Sequence, residues 1–294
     1  MSNPEQHHPF APSVLERRRD CPASYRIEKD LPDVENEAAK KGSRLHELIA
    51  ASIKSDGKVR AKTEDESFYV KRALAFLHKT LKTGLLLHPE ERLEYVDENR
   101  EVLFYGTCDL VAIDENDQLM IFDWKTGSAD IPVAKDNLQL KAYALAAMQK
   151  YKKTTCKAFI YGTKYNVDTK WTFRNAKALR DEIVGIIDAC KNENALPSPS
   201  YSHCRFCRGS LHGTCAARID QSEYKRAARR QEAFSLSEKE IAELEKDFKR
   251  MKRNEDATPP PIYKELSKGR KTSGCAWVLL VIIILFVILA IVSN

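Results

Sequence analysis

Two aspartates and a lysine fall within two short runs, GTCD at 106–109 and DWKTG at 123–127, in a stretch that reads as β-strand. Period-two alternation puts Asp123 and Lys125 on one face of a strand, with Met120, Phe122 and Trp124 on the other, free to enter a core. A carboxylate and an ammonium set between apolar residues are costly unless solvated or employed. Carboxylates from two adjacent strands, Asp109 and Asp123, make a hard-oxygen site suited to Mg²⁺ or Mn²⁺. Such an ion stabilises charge on a phosphoryl oxygen and lowers the pKa of bound water. A nearby lysine orients that water, helps to deprotonate it and favours a pentacovalent phosphate. Asp-x-Lys is common, however, and in isolation it reads as an exposed, salt-bridged strand.

The elements that must position these groups follow from periodicity. Helices are predicted at 13–19, with Ser13 as N-cap, and at 36–54, with Ala39, Leu45, Leu48 and Ile49 at helical spacing and His46 on the same helix. A third helix spans 66–83 and stops at Gly84. Strands follow at 93–96, 101–113 and 118–124, the last two forming a hairpin over the polar turn 114–117. A helix at 137–152, strands at 158–164 and 169–173, and a helix at 176–192 complete the order. This succession predicts an α/β fold with a mixed central sheet flanked by helices.

Four elements occur in a telling order: GSRLH at 42–46, GTCD at 106–109, DWKTG at 123–127 and QLKAY at 139–143. Together they resemble the motifs of the RecB-like branch of the PD-(D/E)XK nucleases, over roughly 13–215. The resemblance implies a restriction-endonuclease-like fold and hydrolysis of DNA phosphodiester bonds by an exonuclease dependent on Mg²⁺ or Mn²⁺. Carried over, it makes His46, Asp109 and Asp123 the metal ligands, joined by the backbone carbonyl of Trp124, with Asp109, Asp123 and Lys125 catalytic. Gln139 and Tyr143, four apart and so on one helical face, would support the lysine and the DNA strand. The stretch from Phe10 to Leu48 is also similar to a phage-associated family of PD-(D/E)XK proteins.

Eight cysteines are present, and Cys204-x-x-Cys207 with Cys215 closes the globular part while Cys21 stands alone near the start. One early and three late cysteines resemble the iron–sulfur subgroup of these nucleases, including CRISPR-associated and helicase-linked exonucleases. That likeness implies a four-iron cluster tying the two ends of the domain together. His203 and His212 lie close by, so a Cys/His zinc site is the alternative. Cys108, Cys156, Cys190 and Cys275 read as packing residues.

Composition excludes wholesale disorder, and 48 basic against 42 acidic residues permit a polyanionic partner without demanding one. The opening residues have no secretory pattern, so the thiols are expected reduced or metal-bound. The run 275–292, CAWVLLVIIILFVILAIV, is uncharged, and its residues at 1.5 Å each give roughly 27 Å, close to a bilayer's hydrocarbon thickness. Lys264, Lys268, Arg270 and Lys271 precede it, which predicts a single-pass tail anchor with the catalytic domain facing the cytoplasm. The expected organisation is a loose arm at 1–12, a nuclease domain at 13–218, a charged helical linker at 219–272 and the transmembrane segment at 273–294. The competing reading is a nuclease fold without catalysis, serving as a membrane-anchored nucleic-acid-binding or scaffolding module.

Overall fold

A computed structural model describes residues 8–34, 37–58, 61–81, 86–127 and 131–219, all within one compact unit, Met1–Lys225. The linker beyond 219 and the apolar run at 275–292 lie outside the described residues. Among the described residues no helix is long and apolar enough to cross a membrane.

A 3-10 turn, Pro12–Val14, leads into α1 (Leu15–Asp20) and α2 (Ser24–Glu28). Two longer helices follow, α3 (Glu37–Lys54) and α4 (Glu64–Thr80). Thr63 caps α4 by accepting the Glu66 N–H at 3.1 Å, while Glu66 accepts the N–H of Lys62, one residue before the cap. Three strands come next: β1 (Leu86–Val96), β2 (Val102–Ile113) and β3 (Leu119–Lys125). Helix α5 (Leu138–Lys150) then crosses over to β4 (Cys156–Gly162), followed by β5 (Val167–Phe173) and α6 (Ala176–Lys191). The short helices α7 (Tyr201–Cys204) and α8 (Arg208–Leu211) lie in the cysteine-rich loop.

The five strands are ordered β1-β2-β3-β4-β5; only β3 and β4 run parallel, as the intervening helix requires. The mixed sheet flanked by helices is therefore the architecture. Both faces are covered. Met120, Phe122, Trp124, Phe159 and Tyr161 pack on Ile49 of α3 and on Val70, Ala73, Phe76 and Leu77 of α4. Leu119, Ile121, Ala158 and Ile160 pack on the other side against α5 and α6. Double coverage explains why β3 is buried almost throughout.

Three local expectations are corrected. The loose arm does not extend to residue 12: Phe10 is 6% exposed and stacks on Tyr25 with ring centroids 4.8 Å apart. Ser13 is not an N-cap, because Pro12 starts the 3-10 turn one residue earlier and α1 is capped at Val14 without a side-chain bond. Strand β1 begins at Leu86 rather than at 93, and it includes Pro89, which an edge strand tolerates.

The two ends of the unit are joined through a buried carboxylate. Glu28, wholly buried, accepts from Arg18 Nη1 at 2.6 Å and from the backbone N–H of Arg208 at 2.8 Å, with Arg17 Nε 3.2 Å away. Burial alone would raise the Glu28 pKa, but Arg17 and Arg18 outweigh it and hold it below the ordinary carboxylate value. Burial in turn pulls Arg18 downward, yet a guanidinium stays charged at any ordinary pH, so the carboxylate governs the pair. A depressed folded-state pKa means stability that is present above the unfolded value of about 4.3 and is lost as pH falls through the lower folded value. Acid melts should show this loss in the wild type, with Glu28→Gln flattening that part of the profile. At neutral pH the same substitution leaves buried arginines uncompensated and should destabilise by about 3–5 kcal/mol, read as a lowered Tm.

Candidate metal centre

The site lies where β2 parts from β3. Their ladder runs from Ile113↔Leu119 to Leu110↔Phe122, so the next pair by register is Asp109 and Asp123. Strand β3 stays paired with β4 as far as Lys125↔Gly162 while β2 follows β1. The alternation of β2 slips at this point. Before it, even-numbered Phe104 and Cys108 face the α5 layer; beyond it, odd-numbered Val111 and Ile113 do. Opposite the slip, Glu90 on β1 has a left-handed backbone, φ 55°. An irregularity of this kind re-aims side chains at the edge of a sheet.

Asp109 uses the opening to bind in two directions. One oxygen, Oδ1, lies 2.9 Å from Nδ1 of His46 on α3, and the other, Oδ2, accepts the Trp124 N–H at 2.7 Å. The Trp124 group recorded at the site is thus its N–H; in an extended strand the carbonyl of the same residue points to that same side. Desolvation works to lower the His46 pKa, but the hydrogen bond and charge of Asp109, with Asp123 and Glu90, carry it above the ordinary histidine value.

Asp123 is 4% exposed. Its Oδ2 faces the Lys125 ammonium at 2.7 Å but takes no hydrogen bond of good angular geometry. Burial first, then the charge of Asp109, raises its pKa against the pull of Lys125. Burial opposes the charge on Lys125 too, and Asp123 restores it, so the amine remains an ammonium above its usual range. Gln139, in the first turn of α5, accepts from Lys125 Nζ at 3.2 Å. Asn137 sets the start of that helix by accepting the Leu140 N–H at 2.8 Å. One turn on, the buried Tyr143 hydroxyl donates to the Thr107 carbonyl at 2.6 Å, and burial holds its pKa well above the usual value.

These residues therefore gather in two linked groups rather than one. Ligand atoms of His46, Glu90 and Asp109 all lie within 4.8 Å of one another. Asp123 stands beside that nest, held by its ion pair with Lys125. Glu90 is not legible in the sequence, because the strand pattern becomes clear only from Leu93 onward whereas β1 starts at Leu86. The signal was the run of alternating residues through Pro89, Glu91, Leu93 and Tyr95. An imidazole, several carboxylates and a buried carboxylate oxygen without a good donor suit a hard divalent cation.

The cysteine loop docks on the first helices. Ser198 N–H donates to Cys21 Sγ at 3.3 Å, Arg17 Nη1 reaches the Phe206 carbonyl at 3.1 Å, and α7 packs against α1. Cys21, Cys204, Cys207 and Cys215 are all buried and free of disulfides. Burial, then the charge of Glu28, pushes the Cys207 thiol up to about 11. The zinc alternative fares poorly. His203 is engaged at both nitrogens, by Ser200 Oγ at 2.9 Å and the Ser198 carbonyl at 2.8 Å, and His212 Nε2 binds the Pro32 carbonyl. Among the described residues no three of the sulfurs come within 4.8 Å of one another, whereas Zn–S bonds of 2.3 Å place tetrahedral thiolates about 3.8 Å apart. Cys108, Cys156 and Cys190 are buried packing residues.

Gly106 lies within β2, where the strand passes close to Pro12 and Tyr143. A Cβ there would stand 2.8 Å from Pro12 Cδ and 3.2 Å from the Tyr143 hydroxyl. Gly106→Ala should therefore destabilise the fold by about 1–3 kcal/mol through overpacking, measurable as a lower denaturation midpoint. Gly42→Ala is the contrast: its new Cβ meets only Thr126 Oγ1 at 3.9 Å, and the helix should gain by roughly 0.5–1 kcal/mol.

A family model described as "Protein of unknown function (DUF2800)" matches residues 7–279, and the chain belongs to that family. Among solved structures, SSO0001 is 11% identical, with 71% of this chain and 96% of that one covered at a TM-score of 0.33. An alkaline exonuclease (LHK-Exo) from Laribacter hongkongensis is 14% identical over 62% of this chain and 91% of its own, TM-score 0.29. A phage related exonuclease from Haemophilus somnus 129PT is 13% identical over 71% and 98%, TM-score 0.30.

Proposed function

We propose that this member of the DUF2800 family is a metal-dependent DNA nuclease of the PD-(D/E)XK type, cutting from strand ends. The observation that carries the reading is the ion pair of buried Asp123 with half-buried Lys125, beside Asp109 and His46, where β2 and β3 separate. Four ionisable groups converge there from α3, β2 and β3, in the order that the nuclease motifs require. A structural ion pair alone would not need the imidazole of His46 or the polar brace of Gln139.

When bound, Mg²⁺ or Mn²⁺ supplies Lewis-acid polarisation of the phosphoryl oxygen and acidifies water. His46, Asp109 and Asp123 would hold it. Lys125, kept charged by Asp123 and aimed by Gln139, donates to the phosphate as negative charge builds during attack of water. One phosphorus–oxygen ester bond breaks and a proton ends on the departing oxygen. Tyr143 fixes the β2 backbone two residues before Asp109 and so keeps that carboxylate in place.

A groove of about 1110 Å³ gives the nucleic acid a path. Its lining includes Ser43 and Glu47, which flank His46 on α3, together with Arg17, Arg44, Phe206 and Arg208. Arg17, Arg44 and Arg208 are ion-paired with Glu28, Glu66 and Asp33, so the exposed ring of Phe206 is the groove feature that suits an accessible base.

Labelled single- and double-stranded DNA incubated with Mn²⁺ or Mg²⁺ tests the assignment. Cleavage should depend on the cation, fall steeply with added salt, and drop by at least about 10² in Asp123→Asn or Lys125→Ala, the scale of losing a transition-state contact. Cleavage that survives both substitutions would overturn the assignment of this site, whereas DNA binding without cleavage by the wild type would favour the scaffolding reading.

Two further assignments go with this one. The run 275–292 is proposed as a membrane anchor for a cytoplasmic catalytic domain, and Cys21, Cys204, Cys207 and Cys215 as ligands of an iron–sulfur cluster. Support for the cluster is the burial of all four thiols and the backbone N–H directed at Cys21. Cell fractionation followed by anaerobic metal analysis addresses both: the full chain should sediment with membranes and contain iron and acid-labile sulfide. A soluble chain would remove the anchor, and a chain lacking iron would remove the cluster.

A further inference from the structure

We infer that Glu90 is a ligand of the divalent cation, seated with His46 and Asp109 on the β1 side of the centre; this rests on the metal-dependent reading above. The ligand atoms of these three residues lie within 4.8 Å of one another. Register carries the point further. The β1–β2 ladder pairs Pro89 with Leu110 and Glu91 with Cys108, which sets Glu90 directly across from Asp109. Asp109 in turn stands across from Asp123. Three carboxylates are thus set by register on three neighbouring strands, with Asp109 on the middle one.

Like charges directly opposite each other on a sheet are destabilising unless a cation lies between them. On the β3 side that cation is Lys125, 2.7 Å from Asp123. On the β1 side the close group is the His46 imidazole, a metal-ligand type, which approaches the same Asp109 oxygen that faces away from Trp124. Lys54 and Glu47 of α3 act on Glu90 only through longer-range charge, with opposite signs. An independent observation that suits a cation is Asp123 Oδ2, buried and without a well-angled donor although Lys125 is near. Glu90 itself is held by a left-handed backbone that a glutamate adopts at some cost. Glu90 would therefore join His46, Asp109 and Asp123 in holding the cation.

Binding of Mn²⁺ to the full-length protein, followed by the loss of the free-ion paramagnetic resonance signal, separates the possibilities without relying on turnover. Glu90→Gln should weaken Mn²⁺ binding by at least about tenfold, the lower end of what even outer partners of metal ligands contribute. Glu90→Asp should recover part of that loss. Should Glu90→Gln melt early, Glu90→Asn removes the carboxylate with a residue suited to the left-handed backbone and gives the same reading. Unchanged Mn²⁺ affinity in Glu90→Gln, with binding abolished in Asp109→Asn, would overturn the role of Glu90 and leave the nuclease reading standing. Absence of Mn²⁺ binding in the wild type would overturn both.

Discussion

One carboxylate holds the centre together. Asp109 binds His46 on α3 through one oxygen and the Trp124 backbone on β3 through the other, so a helix and two strands meet at a single side chain. The β2–β3 ladder has already ended there, and this bridge ties the two strands beyond its end. A sheet covered on both faces leaves few places where ionised groups remain near solvent, and the gap past Leu110 and Phe122 is one of them. The chemistry sits where the hydrogen-bonding pattern of the sheet gives out.

Around that bridge, charge is arranged by burial as much as by pairing. Asp123 has almost no contact with solvent and has Lys125 for a partner; Lys125 is steadied by Gln139, whose helix starts at the Asn137 cap. The apolar residues between the charges do the complementary work. Phe122 and Trp124 turn to the opposite face and pack with Phe76, fixing β3 so that Asp123 has little freedom to move. Rigid placement of a few ionisable groups is what a phosphate-directed centre demands.

Much of this was legible in the residues. Strong periodicity located α3, α5 and α6 and the strands β2 to β5 within a few positions, because burial of an apolar stripe dictates both the pattern and the element. The motifs pointed to His46, Asp109, Asp123, Lys125, Gln139 and Tyr143, and all six lie around the opening between β2 and β3 or on the helices beside it. What escaped were features set by tertiary contact. Glu90 depends on a strand whose Pro89 and charged residues hid its start, and on a backbone twist invisible to alternation. Phe10 resembled part of a polar arm until its ring met Tyr25. His203 and His212 carried the residue type of zinc ligands, but the backbone carbonyls that occupy them are supplied by the fold.

The buried tie at Glu28 has a consequence for how the molecule is made. Its carboxylate lies in the second helix, while the backbone amide that helps to satisfy it belongs to Arg208, 180 residues later. A growing polypeptide leaves the ribosome from its first residue onward, so α1 and α2 wait through synthesis of the whole sheet before their last partner arrives. Completion of the layer over α5 and α6 is thereby deferred until the cysteine loop has emerged, and a truncated translation product lacks the clasp that secures its own beginning.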